Sequence, residues 1–188
     1  EDFACFRSGV GSSIYTPSDN QTTKLIAQDM LKKPKFSYVR LDRDKQEDLN
    51  PAISIADYKK GFKIFGKVTG NKIAIISHGK IFNNCWNAFK KNTNKYIFIN
   101  LFRAKPFPEK LVQTIKRINK FLVVDEQTPS GNLSSCVFEG FSEKKFFPKI
   151  ISKSLPEKYV FENGGREYLL NKYGLSYKDI LKAVNSFR

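Results

Sequence analysis

Apolar and polar positions divide the chain into short apolar runs and longer stretches in which apolar residues recur at helical spacing. Residues 13–16 are β-rich; Pro17 ends that run, and Ser18 or Asp19 can cap the helix that follows. Residues 23–31 carry Leu25, Ile26 and Met30 at helical spacing, and Pro34 closes the helix. A second strand over 36–41 then delivers Arg43 just past its carboxyl end. The polar segment 44–56, which carries Pro51, reads as a linker. Beyond it, 58–68 predicts a hairpin or edge strand leading to a turn at Thr69-Gly70-Asn71. Residues 72–77 form the short apolar run of a buried parallel strand. The spacing of Ile81, Cys85, Trp86 and Phe89 predicts a helix over 79–91, followed by a strand at 96–101, a helix at 108–118 and a third buried strand at 121–125. A Pro-Ser-Gly loop at 127–132 opens a helix reaching about residue 141, and 150–154 is a fourth, shorter strand. Helices over 167–173 and 176–187, separated by Gly174, close the chain. Strands alternating with helices of this length predict an α/β fold, with a mostly parallel sheet covered by helices on both faces and right-handed crossovers.

Composition adds limits. An apolar fraction of 40% with 17 Phe and 8 Tyr is enough for a real core. No apolar run approaches the length of a transmembrane helix and no signal-peptide pattern is visible, so no membrane partner is expected. The three cysteines, Cys5, Cys85 and Cys136, are far apart. That argues for reduced thiols in a cytoplasmic protein rather than a disulfide framework or a metal site. A net charge of +15 invites a nucleic-acid reading. Only 7 of the 33 basic residues are Arg, however, and the lysines are scattered in pairs such as Lys59-Lys60 and Lys144-Lys145. In a chain also rich in Asn and Ile, a compositional drift toward Lys suffices, and no nucleic-acid partner is expected.

Arg43 is the leading candidate for chemistry. Open α/β sheets bind ligands at the carboxyl edge of their strands, and an arginine there offers a planar two-pronged donor suited to a phosphate. The bland alternative is a surface arginine paired with Asp42 or Asp44. Arg40 either supports the same site or forms a structural ion pair. Asp2 and Arg7 are expected to pair with each other, and Asp19 to serve as a helix cap. His78, the only histidine, has no evident nucleophile or metal-ligand partner in the sequence and reads as structural. Residues 131–135, at a helix start, could cradle an anion on free N–H groups, although such starts mostly bind nothing. Gly164-Gly165 reads as a turn. No Walker, Rossmann, zinc or nucleophile-elbow pattern is present.

Several short words occur in a familiar order: Glu1-Asp2-Phe3-Ala4-Cys5-Phe6-Arg7, Thr16-Pro17-Ser18-Asp19, Tyr38-Val39-Arg40-Leu41-Asp42-Arg43 and Phe65-Gly66-Lys67-Val68. Downstream come Ile75-Ile76-Ser77-His78-Gly79, Val123-Val124-Asp125-Glu126, Gly164-Gly165-Arg166-Glu167 and Lys172-Tyr173-Gly174-Leu175. In this arrangement nearly the whole chain resembles the carboxyl-terminal portion of the transketolases and 1-deoxyxylulose-5-phosphate synthases, which use thiamine diphosphate. The resemblance implies that residues 1–45 end a pyrimidine-binding domain, 46–57 link, and 58–188 form a transketolase-like C-terminal domain. It implies transfer of a two-carbon ketol unit between sugar phosphates by the complete enzyme, with Arg43 gripping the substrate phosphate; the net positive charge would help to draw such substrates in.

The family's Gly-Asp-Gly metal motif and its activating glutamate are not in this sequence. Thiamine diphosphate and Mg are therefore expected in the complete enzyme, and neither is expected to bind this chain, which reads as a fragment inactive alone. The implied partners are a second copy in a homodimer or a complementary amino-terminal thiamine-diphosphate subunit. The rival readings are a fragment of a 1-deoxyxylulose-5-phosphate synthase and a non-catalytic binding or regulatory module.

Overall fold

Along the computed structural model, which describes residues 2–43 and 46–187, strands and helices alternate from end to end. The order is α1 (Asp2–Ser8), β1 (Ser13–Tyr15), α2 (Asn20–Lys32), β2 (Ser37–Val39), α3 (Ile55–Lys60), β3 (Lys63–Phe65), β4 (Ile73–Ser77) and α4 (Gly79–Phe89). Then come β5 (Tyr96–Asn100), β6 (Arg103–Lys105), α5 (Glu109–Ile115), β7 (Lys120–Val124), α6 (Leu133–Glu143), β8 (Lys149–Lys153), α7 (Gly165–Lys172) and α8 (Tyr177–Asn185).

The larger sheet has the order β3-β5-β4-β7-β8, parallel except for the antiparallel edge strand β3. Its central strands are buried on both sides, so they read as continuous apolar runs rather than alternating ones. The period of two still sorts their side chains. Ile75, Phe98 and Leu122 lie side by side in register and pack with Phe82, Cys85 and Phe89 of α4 and Ile180 and Val184 of α8. Ala74, Ile76, Ile97 and Val123 face the other way, onto Leu111 and Ile115 of α5 and Val137 and Phe141 of α6. Each fully buried side chain of this size contributes about 1.5–3 kcal/mol. The α/β architecture covered on both faces is the expected one.

A smaller sheet has the order β2-β1-β6, with β1 and β2 parallel and β6 antiparallel to β1. Main-chain bonds stitch the two sheets together. Thr16 N–H donates to the Phe102 carbonyl (2.8 Å), and the Thr16 carbonyl accepts from Gly79 N–H (3.2 Å). Asp19 caps α2 as expected, accepting from Thr22 N–H at 2.7 Å. Cys85 and Cys136 are buried and unpaired, and burial pushes both thiols up to about 12, so they are inert at neutral pH.

Three elements differ from the expectation. α1 organises residues without an assigned element. β6 lies where Arg103-Ala104-Lys105 shows no apolar run, because only Ala104 of the three is buried. Residues 55–60 are helical rather than linker and hairpin: Ser54 and Asp57 form a reciprocal capping box, and Gly61, at φ 88°, closes the helix in a left-handed conformation. The edge strand expected within 58–68 is confined to β3.

Candidate functional site

The carboxyl ends of the strands of both sheets converge on one seam, where the chain places most of its buried polar residues. Ser18, Asp19, Ser77, His78, Asn100 and Asp125 are all at most 2% exposed. Ser18 Oγ donates to Asn100 Oδ1 at 2.9 Å, and Ser77 Oγ donates to the Val124 carbonyl at 2.8 Å. In the larger sheet β4 and β7 are neighbours whose following connections leave in opposite directions, β4 toward β5 and β7 toward β8. That is the topological switch point at which open α/β sheets take ligands.

Here the switch point is filled by the chain itself. His78 follows β4, Asp125 follows β7, and His78 Nε2 lies 3.1 Å from Asp125 Oδ1. Phe3 of α1 meets the imidazole edge-on at 5.3 Å. The other carboxylate oxygen of Asp125 accepts from Leu133 N–H at 2.8 Å. Burial pushes the Asp125 carboxyl up, but His78, the Leu133 N–H and the field of Arg40 together hold it below the usual carboxylate range. His78 thus has a partner that its sequence neighbourhood did not disclose.

The start of α6 is equally occupied. Asn132 Oδ1 accepts from Ser134 N–H and Ser135 N–H (2.8 and 3.3 Å), and Leu133 N–H is taken by Asp125. The anion cradle considered for residues 131–135 is therefore closed by the protein's own acceptors. The Asp2–Arg7 pair is also corrected. Arg7 makes a bidentate pair with Glu139 (2.8 and 2.7 Å), which brings α1 onto α6. Asp2 instead accepts from Tyr38 Oη and faces Arg40 Nε at 3.4 Å. Burial pushes the Asp2 carboxyl up, yet the Tyr38 hydroxyl and Arg40 bring it below its ordinary value.

Beyond β2 the chain presents three arginines in different states. Arg40 N–H continues the ladder to the Tyr15 carbonyl (2.9 Å), and its side chain faces Asp2. Arg166, from α7, spans two carboxylates: Nη1 is 3.2 Å from Asp42 and Nη2 is 2.5 Å from Glu126. Burial pushes the Glu126 carboxyl up, against the opposing pull of Arg166 and Arg40. Arg43 is exposed and, among the described residues, has neither a hydrogen bond nor an ion pair. Of the two suggested carboxylate partners, Asp42 is turned to Arg166, and Asp44 lies outside the described residues. Reading residues one at a time left Arg166 unassigned. Its place in the Gly-Gly-Arg-Glu word was the only signal.

Among the described residues no group of three or more His, Cys, Asp or Glu side chains could hold a metal ion. At the switch point both oxygens of Asp125 are engaged, one with His78 and one with Leu133 N–H, so this carboxylate is not free to ligate a magnesium-bound diphosphate. No helix among the described residues is long and apolar enough to cross a membrane.

The order of the larger sheet, its helices on both faces and its self-filled switch point define a doubly wound α/β domain. The family model described as transketolase, C-terminal domain, matches residues 65–180, and the chain belongs to that family. It is 29% identical over 87 residues to the 1-deoxy-D-xylulose-5-phosphate synthase of Aquifex aeolicus (strain VF5), covering 46% of this chain and 14% of that protein. It is 26% identical over 119 residues to the namesake of Buchnera aphidicola subsp. Acyrthosiphon pisum (strain Tuc7), covering 63% of this chain and 19% of that one. The chain thus matches under a fifth of the length of these curated relatives.

Among solved structures it resembles a split-gene transketolase described as an inactive beta4 tetramer, with TM-score 0.81 and 22% identity over 99% of this chain and 61% of that one. It also resembles a Pichia stipitis transketolase in complex with sedoheptulose-7-phosphate, with TM-score 0.72 and 14% identity over 97% of this chain and 26% of that one. At these identities the likeness is one of fold.

Proposed function

We propose that this chain is the carboxyl-terminal part of a transketolase-like enzyme that transfers a two-carbon ketol unit between sugar phosphates. It contributes substrate-phosphate binding through Arg43 and support for a dimer, and it is inactive alone. Residues 1–45 end the pyrimidine-binding domain, 46–57 link, and 58–188 form the C-terminal domain. The observation that carries the proposal is the contrast among the arginines beyond β2. Arg40 and Arg166 face carboxylates, whereas Arg43 is exposed and paired with nothing among the described residues. A guanidinium held at a strand's carboxyl edge without a protein acceptor is free to grip a phosphate in two-pronged fashion.

Thiamine diphosphate and magnesium would sit on a part of the enzyme beyond this chain, or on a complementary subunit. The structural neighbour described as an inactive beta4 tetramer of a split-gene transketolase, of which this chain spans 61%, supports a chain that works only with a complement. Its compartment is the cytoplasm, in keeping with its unpaired cysteines.

Arg43→Ala in the complete enzyme tests the site. Losing a charge-assisted bidentate contact costs on the order of 1.5–3 kcal/mol. That corresponds to a roughly tenfold to hundredfold drop in kcat/KM for a phosphorylated acceptor, while a non-phosphorylated aldehyde is nearly indifferent. Arg43→Lys recovers only part of the loss, because an ammonium lacks the fork. Equal losses on both acceptors mean that Arg43 holds the fold and the phosphate role is wrong. The curated relatives favour one second reading, a 1-deoxyxylulose-5-phosphate synthase fragment. Formation of 1-deoxyxylulose 5-phosphate by the complete enzyme would select it.

A further inference from the structure

Arg166 reaches from the far end of the chain to the residue directly before Arg43, 124 positions away in sequence. After Arg40 N–H bonds to the Tyr15 carbonyl, no main-chain hydrogen bond to either sheet is made by residues 41–43 among the described residues. The segment that carries Arg43 therefore leaves both sheets after Arg40. Arg166 supplies a side-chain restraint. One guanidinium nitrogen holds Asp42 at 3.2 Å, and the other holds Glu126, just past β7, at 2.5 Å. The side chains of Arg166, Asp42 and Glu126 are 26%, 18% and 12% exposed, so the bridge is largely shielded from water. A planar guanidinium can hold two carboxylates at once, whereas an ammonium cannot reproduce that fixed fork.

We infer that Arg166 is a positioning residue for substrate-phosphate binding: by clamping Asp42 to Glu126 it ties the Arg43 segment to the larger sheet. The inference rests on the phosphate role proposed above for Arg43. It gives the C-terminal domain a part in substrate selection, because α7 sets where the phosphate-gripping residue starts from. Misplacing a binding group by about 1 Å can cost up to 100-fold in rate, so loss of the clamp is expected to cost on the order of tenfold.

The test is a double-mutant cycle in the complete enzyme, reading the ratio of kcat/KM for a phosphorylated acceptor to that for a non-phosphorylated aldehyde. Arg166→Gln should lower this ratio about tenfold. The double variant Arg43→Ala/Arg166→Gln should be no worse than Arg43→Ala alone, since a misplaced residue that is already absent costs nothing more. Asp42→Asn, which leaves Arg166 on Glu126, should lower the ratio in the same direction and guards against a folding defect at Glu126. Additive losses in the double variant, or an unchanged ratio for both Arg166→Gln and Asp42→Asn, would overturn the inference.

A second readout does not depend on substrate. Trypsin should cleave the 188-residue chain after Arg43 several-fold faster in Arg166→Gln than in the parent, and an unchanged rate means that Arg166 does not hold the segment. Should Arg43→Ala leave the acceptor ratio unmoved, the phosphate reading fails and takes this role with it. The cleavage rate then still decides whether the clamp exists.

Discussion

Replacing Asp125 by alanine is the most severe single test of how the seam is held. The carboxylate is fully buried and accepts from Leu133 N–H at 2.8 Å, with His78 Nε2 at 3.1 Å. Removing it strands the Leu133 N–H and the imidazole edge in a site that water does not reach. Each buried group left without a partner costs about 1–3 kcal/mol, so Asp125→Ala should cost roughly 2–6 kcal/mol. That is a large share of the 5–15 kcal/mol typical of a domain. At about 2–4 °C per kcal/mol for this chain length, the thermal midpoint should fall by roughly 4–24 °C.

Asp125→Asn keeps the shape and an acceptor for Leu133 N–H, and should cost less than alanine. Urea unfolding is the assay, with an unchanged slope showing that stability rather than compactness moved. The pH dependence has a definite sign. The folded carboxyl lies below its ordinary value, so its contribution is complete above an unfolded pKa of about 3.9 and is lost as pH falls through the folded value. The stability gap between parent and Asp125→Asn should therefore narrow in acid. A cost below about 0.5 kcal/mol for alanine, the level of an ordinary surface change, would refute the reasoning.

Glu139→Gln should cost no more than about 1 kcal/mol, because the pair with Arg7 is partly solvated. Hydrogen bonding to Arg7 lowers the Glu139 carboxyl, so this contribution too is present at neutral pH and lost in acid, which urea midpoints at pH 7 and in acid would check. Phe82→Ala, at a fully buried position on the sheet-facing side of α4, should cost about 3–5 kcal/mol by thermal unfolding, and a loss under 1 kcal/mol would contradict the packing described. Calorimetric titration of the chain with thiamine diphosphate and magnesium should give no saturable heat at micromolar cofactor, whereas stoichiometric binding would mean that the chain holds a site the described residues do not offer.

The larger sheet was legible because its central strands are buried on both faces, and Ile73–Ser77 and Tyr96–Asn100 stand out as apolar runs. β6 was not, since a three-residue strand with one buried side chain carries almost no periodic signal. α3 was concealed differently. Its Ser54/Asp57 capping box is written in the sequence, but it lies beside Pro51 in a polar stretch that reads as linker. At the seam, Asp19 was legible because a cap acts on its own helix. His78–Asp125 and Arg166–Asp42 were not, being 47 and 124 residues apart. Such pairs depend on which strands become neighbours, and β4 beside β7 is a property of the folded sheet. The short words of the family held these residues all along, without saying which of them would meet.

The most direct test of the account is a ketol-transfer assay from a ketose phosphate to an aldose phosphate, run on the complete enzyme and on this 188-residue chain in parallel. Transfer by the complete enzyme that requires both thiamine diphosphate and magnesium is expected, and none by the chain alone. Transfer by the isolated chain, or a cofactor-loaded complete enzyme that moves no two-carbon unit, would contradict it.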